Sequence, residues 1–127
     1  MNRTVILIGI GGFIGSISRY LVASFFTRVF SSPFPYGTFI VNISGCLLIG
    51  IFYALSERCG WLTPEWRIFL TTGFCGGFTT FSSFAYENIS LLQASGYITF
   101  TVYSIASFAL GLLAVFGGIS LIRLVIS

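Results

Sequence analysis

The sequence predicts an all-α integral membrane protein of four transmembrane helices, with the third broken near its middle. Of its 127 residues, 56% are hydrophobic and 7% are charged, and the mean hydropathy is +1.01. Soluble domains are typically about a quarter charged. The apolar residues fall into four runs, each near the roughly 20 residues a helix needs to cross a bilayer core. One run is interrupted by "GFCGGFTTFSSF", residues 73–84, which sets glycines and hydroxyls at the depth where lipid tolerates an irregular backbone least.

The first span covers about residues 4–26. A cleaved signal peptide is not expected there: Arg3 and the apolar run fit one, but no A-x-A site follows and Arg19 interrupts. The turn "SSPFPYG" leads to a second span at about residues 39–55, with Gly37 as an earlier start. The loop "SERCGWLTPEW" contains a helix start, with Thr63 as N-cap, Pro64 at the first helical position and Glu65 in the first turn. The third span follows at about residues 68–92 and ends at "QASGY", where Gly96 is expected as the C-terminal cap. The fourth covers about residues 98–122. Tyr36, Trp61, Trp66 and Tyr97 mark span ends, where amphipathic rings belong.

Charge excludes more than it assigns. The six Arg/Lys positions are all arginine, the three acidic ones are all glutamate, and there is no histidine. Scattered arginines without a soluble domain do not make a nucleic-acid surface. Cys46, Cys59 and Cys75 are far apart, form no zinc spacing or disulfide framework, and read as small packing residues. No nucleophile has a visible base partner, so an enzyme is not expected. With four spans, Arg3, Arg58, Arg67 and Arg123 share one side and Arg28 lies on the other, together with Arg19 if it reaches the interface. That weak bias mildly favours termini inside and does not fix one orientation.

Four helices cannot easily enclose a pore, so an oligomer, most economically a dimer, is expected to bury the few polar groups. Gly11 and Gly15 form a GxxxG pair that packs either within a subunit or between two. Arg19 lies deep in span one, Asn42 early in span two, and Glu87 late in span three. Thr38 lies four residues before Asn42, and Tyr103 four before Ser107, so each pair shares a helix face. Ser44, Ser104 and Ser120 read as ordinary hydrogen-bonding residues. Within residues 73–84, the Gly76–Gly77 pair followed by Thr79, Thr80, Ser82 and Ser83 is a poor helix interior. A break is favoured there over a kink stabilised by hydroxyls bonding back to the helix. Phe78, Phe81 and Phe84 recur every three residues. Their positive ring edges beside hydroxyls and an amide would line a path for a small anion without formal charge.

The combination of "GGFIGSISRY", "YGTFIVNISG" and "GFCGGFTTFSSF", followed by Glu87, resembles the Fluc fluoride channels, also called the CrcB family. The resemblance covers essentially the whole chain as a single domain. It supplies fluoride, which composition and spacing do not. It implies a multi-pass protein of the bacterial inner membrane that assembles as an antiparallel, dual-topology homodimer with two fluoride pathways. It implies a structural Na+ at the dimer centre, held by the main-chain carbonyls of Gly76 and Thr79. It places Phe81 and Phe84 with ring edges toward the anion and Asn42 as a neutral donor. Thr38, Ser83, Tyr103, Ser107 and Glu87 are placed along the same pathway, and Arg19 near the vestibule mouth. One departure is that a polar track continued at fourfold spacing past Ser107 meets Gly111.

The implied function is passive export. Hydrogen fluoride crosses membranes uncharged and ionises in a near-neutral cell; a channel then lets the trapped anion leave, helped by an inside-negative potential. The chain shows no nucleotide-binding loop to drive a pump. A small four-helix proton-coupled multidrug exporter, with Glu87 as proton carrier, is the alternative, but it leaves the Gly/Thr/Ser/Phe run unexplained. A non-transporting membrane assembly factor is a weaker one.

Overall fold

The computed structural model describes residues 2–126. Three long helices dominate: α1 (Arg3–Val29), α2 (Tyr36–Arg58) and α6 (Tyr97–Val125). Each is long and apolar enough to cross a membrane. All three extend beyond the spans expected from apolar runs alone, because a helix continues into the interface where arginine is well solvated. Arg28, Arg58 and Arg123 occupy the three last turns, the favourable end of each helix dipole.

The third expected span is in pieces. A short α3 (Pro64–Ile68) runs into a π-helical segment, Phe69–Cys75, then α4 (Gly76–Phe78); after a gap comes α5 (Phe81–Gln93). Thr63 starts the run as expected: its hydroxyl accepts from the Trp66 amide at 3.3 Å, with Pro64 in the first turn. The break lies within the expected run, just after the Gly76–Gly77 pair. Thr79 (φ −83°, ψ 156°) and Thr80 (φ −150°, ψ 118°) are extended. Thr80 then caps α5, its hydroxyl accepting from the Ser83 amide at 3.1 Å.

The glycines explain why the pair stays helical. A Cβ at Gly11 would lie 2.6 Å from the Phe69 carbonyl and 2.9 Å from Gly73 Cα. One at Gly77 would lie 2.7 Å from the Gly12 carbonyl. One at Gly15 would overlap the Phe74 carbonyl. Glycines of α1 and of the π-helical and α4 segments therefore interdigitate backbone to backbone, and the GxxxG pair serves packing within the subunit. Gly50 of α2 meets Val115 of α6 in the same manner, its Cβ position 3.2 Å from Val115 Cα.

The end of α5 corrects a second expectation. Ser95, not Gly96, takes the left-handed conformation, at φ 62°. Its amide bonds to the Leu92 carbonyl at 3.1 Å and the Gly96 amide to that of Leu91 at 2.8 Å. This is a Schellman closure in which Gly96 stands one residue beyond the left-handed position.

Two contacts gather four helix ends. Arg3 pairs with Glu65 at 3.1 Å, and an Arg58 Nη donates to the Ile126 carbonyl at 2.8 Å. The starts of α1 and α3 and the ends of α2 and α6 thus share one side of the molecule, so Arg3, Arg58, Arg67 and Arg123 do too.

Candidate functional site: a ring-lined cavity at the helix break

Opening a helix frees backbone groups that must find partners. Asn42, half-buried on α2, supplies two of them. Its side-chain amide donates to the Thr80 carbonyl at 2.9 Å, and its carbonyl accepts from the Thr80 amide at 2.8 Å. A carboxamide is the side chain that can meet a peptide group with both a donor and an acceptor. Arg19 serves the other side of the gap: its Nε–H donates to the Gly77 carbonyl at 3.0 Å. The Thr79 amide and hydroxyl both donate to the Cys75 carbonyl, at 2.9 and 2.8 Å. Gly45 makes room for this turn, since a Cβ there would overlap Thr79 Cγ2.

Because the Thr80 amide points to Asn42, it does not return to Gly76. Likewise the Ser83 amide goes to the Thr80 hydroxyl rather than to the Thr79 carbonyl. The Gly76 and Thr79 carbonyls are thereby released from helical pairing. Gly76 is exposed on the subunit surface and Thr79 is half-buried.

Beside the break lies a cavity of about 350 Å³. Asn42, Thr80 and Ser107 bring polar groups to its wall; Phe81, Phe84 and Phe108 bring rings. Phe81 and Phe84 sit 5.8 Å apart at 43°. Phe81 is 78% exposed, so it projects from the subunit rather than into its core. Phe78, third member of the same sequence spacing, behaves differently: it is 6% exposed and stacks on Phe74 at 5.6 Å.

The other expected pathway residues form a second cluster. Tyr103, fully buried, donates its hydroxyl to one Glu87 oxygen at 2.8 Å, and Thr38 donates to the other at 2.7 Å. The Tyr103 ring lies 5.0 Å from that of Phe84, which touches both clusters. Ser83 is half-buried and lies outside the cavity wall. Among the flagged serines, Ser44 bonds back to the Ile40 carbonyl at 2.7 Å, and Ser104 donates to the buried Asn88 at 3.3 Å.

Sequence reasoning did not single out Thr80, whose backbone Asn42 holds and whose hydroxyl starts α5. The signal was present: a threonine ahead of an apolar run is the pattern that identified Thr63. Cys46 and Gly45 were also passed over, since small residues on an apolar helix carry no signature of what they face.

Fold and site together define a multi-pass helical membrane protein whose third span opens beside a ring-lined cavity carrying a few polar groups. A family model described as "CrcB-like protein, Camphor Resistance (CrcB)" matches residues 6–119. A protein of Bacteroides fragilis (strain YCH46), named "Fluoride-specific ion channel FluC", is 52% identical over 119 residues, covering 91% of this chain and 93% of its own. Proteins of the same name from Azobacteroides pseudotrichonymphae genomovar. CFP2 and from Leptospira interrogans serovar Lai are 46% and 42% identical, with at least 93% of either chain covered. The chain belongs to the CrcB family.

Proposed function

We infer that the chain is a fluoride-selective passive channel of the bacterial membrane, exporting fluoride that accumulates in the cytoplasm. The observation that carries this reading is the uncharged, ring-lined cavity at the helix break, with Asn42, Thr80 and Ser107 bringing a few polar groups to an otherwise apolar wall, in a chain about half identical to a relative named for fluoride conduction. Asn42 spends one amide hydrogen on Thr80 and keeps a second for an anion. Ser107 adds a hydroxyl, and the edges of Phe81 and Phe84 add weak positive potential without a charge that would hold the ion. Glu87, which accepts from both the Tyr103 and Thr38 hydroxyls, holds the Tyr103 ring against Phe84 and so positions that ring for the path. Cells that are sensitive to fluoride should tolerate more of it when they express this chain. Unchanged tolerance with folded protein in the membrane contradicts the reading.

Two copies, inserted antiparallel, complete the two pathways. Support comes from the exposure of Phe81, Gly76 and much of the apolar surface of α1 and α6. A single exposed cysteine introduced by Asn2→Cys is expected to react with an impermeant reagent from both faces of the membrane; reaction from the cytoplasmic face alone contradicts antiparallel assembly.

The carbonyls of Gly76 and Thr79 suit a hard monovalent cation such as Na+: they are oxygen ligands, free of helical pairing and near the subunit surface. Each subunit would contribute both, and the ion would tie the two broken helices together. Replacing sodium by a large organic cation should lower dimer stability. Thr79→Val, which keeps the carbonyl, should be milder than Gly45→Leu, which drives a side chain into Thr79. Equal stability in both cations contradicts the site.

A further inference from the structure

The hydroxyl row on α6 stops one turn early. Tyr103, Ser107 and Gly111 succeed one another at four-residue spacing, and the third has no side chain. The structure shows what stands opposite. A Cβ built at Gly111 would lie 3.6 Å from Cys46 Sγ. Cys46 is one turn beyond Asn42 on α2 and lines the same cavity as Asn42 and Ser107. The room left by Gly111 is therefore met from the other helix by a thiol. The remaining cysteines differ: Cys75 is fully buried, and Cys59 stands at the C-terminal cap of α2, outside the cavity wall.

We propose that Cys46 is a pathway residue, whose thiol takes over from Ser107 where Gly111 interrupts the row. The proposal rests on the fluoride-pathway reading above and adds a residue to it. A thiol is a weaker hydrogen-bond donor than a hydroxyl and more polarizable. It offers a passing anion a contact without a deep well. It also makes conduction open to a chemical block that a hydroxyl would not allow, because a thiolate reacts where a serine hydroxyl does not.

Methyl methanethiosulfonate supplies the test. The Cys46 thiolate attacks its sulfenyl sulfur, methanesulfinate leaves, and the side chain becomes a methyl disulfide that projects an apolar methylthio group into the cavity between Asn42 and Ser107. Fluoride efflux from liposomes is measured before and after treatment, and modification at each cysteine is followed by mass spectrometry. Treatment should lower efflux about tenfold or more in the parent and in Cys59→Ser, but by less than about twofold in Cys46→Ser, because only the parent and Cys59→Ser keep the reactive thiol in the path. Cys46 should react faster than Cys75, and Gly111→Ser should slow its reaction by placing a side chain against the sulfur. Full efflux from a parent whose Cys46 is modified overturns the proposal while leaving the channel reading intact. So does equal inhibition of Cys46→Ser, or a Cys46 that stays unmodified while Cys59 reacts. An untreated parent that passes no fluoride overturns the channel reading and, with it, this inference.

Discussion

Replacing Phe81 or Phe84 with isoleucine is expected to lower fluoride flux by orders of magnitude while the protein still folds into the membrane. Isoleucine keeps apolar bulk and removes the ring quadrupole. Loss of an edge contact worth about 1 kcal/mol would by itself change binding by less than about tenfold. A larger loss would mean that water also fails to replace the lost edge around the ion in the proposed path. The positions also separate folding from function. Phe81 is 78% exposed, so little packing within the subunit is lost with its ring. Phe84 lies 5.0 Å from the Tyr103 ring, so its replacement also loosens the hydroxyl that reaches Glu87. Phe78 is a poor control because it is buried against Phe74 and its truncation costs stability. Phe116→Ile, on an exposed face of α6 outside the cavity wall, is the better one and should conduct as the parent does. Parental flux in both Phe81→Ile and Phe84→Ile contradicts the ring-edge mechanism.

Asn42→Ala should be the most damaging small substitution on α2. It strips the partner from the Thr80 amide, which cannot return to a helix that has ended, and one of the donors to the Thr80 carbonyl, which faces α5. Each buried polar group left unsatisfied costs about 1–3 kcal/mol. The variant should lose thermal stability and most of its flux. Asn42→Asp separates the two roles. It keeps an acceptor for the Thr80 amide but sets a carboxylate oxygen against the Thr80 carbonyl and a negative charge in an anion path. Flux should then fall further than in Asn42→Ala, whatever happens to stability. A stable, normally conducting Asn42→Ala variant removes Asn42 from both roles.

What was legible in the sequence follows from the solvent. A bilayer demands long apolar runs, so the four spans, the interface rings and the Thr63–Pro64 start could be read residue by residue. The helix ends moved outward because arginine and polar residues lie comfortably in the interface. The break and the run that holds it were legible in Gly76, Gly77 and the hydroxyls after them, but which residues of that run leave the helix was not. The glycine pair proved to serve close approach to α1, which is a tertiary demand, and the chain opens instead at Thr79–Thr80, where Asn42 receives the backbone from 38 residues away. The π-helical segment had no local signature, because it answers to the glycine face of Gly11 and Gly15. At the end of α5, Gly96 drew attention as the residue best suited to a left-handed turn, yet Ser95 adopts it because the closing bonds to Leu91 and Leu92 fix the register. The polar residues were found individually. That they divide into a cavity group around Asn42 and a buried group around Glu87, joined by Phe84, required the packing of α2, α5 and α6.

Ion efflux from liposomes containing the purified protein tests the central claim most directly. Liposomes are loaded with potassium fluoride or potassium chloride, and valinomycin supplies the counter-current. The account predicts rapid passive release of fluoride, needing no proton gradient, with chloride retained as in protein-free liposomes. Release of chloride alongside fluoride, or fluoride release only when a proton gradient is imposed, would contradict it.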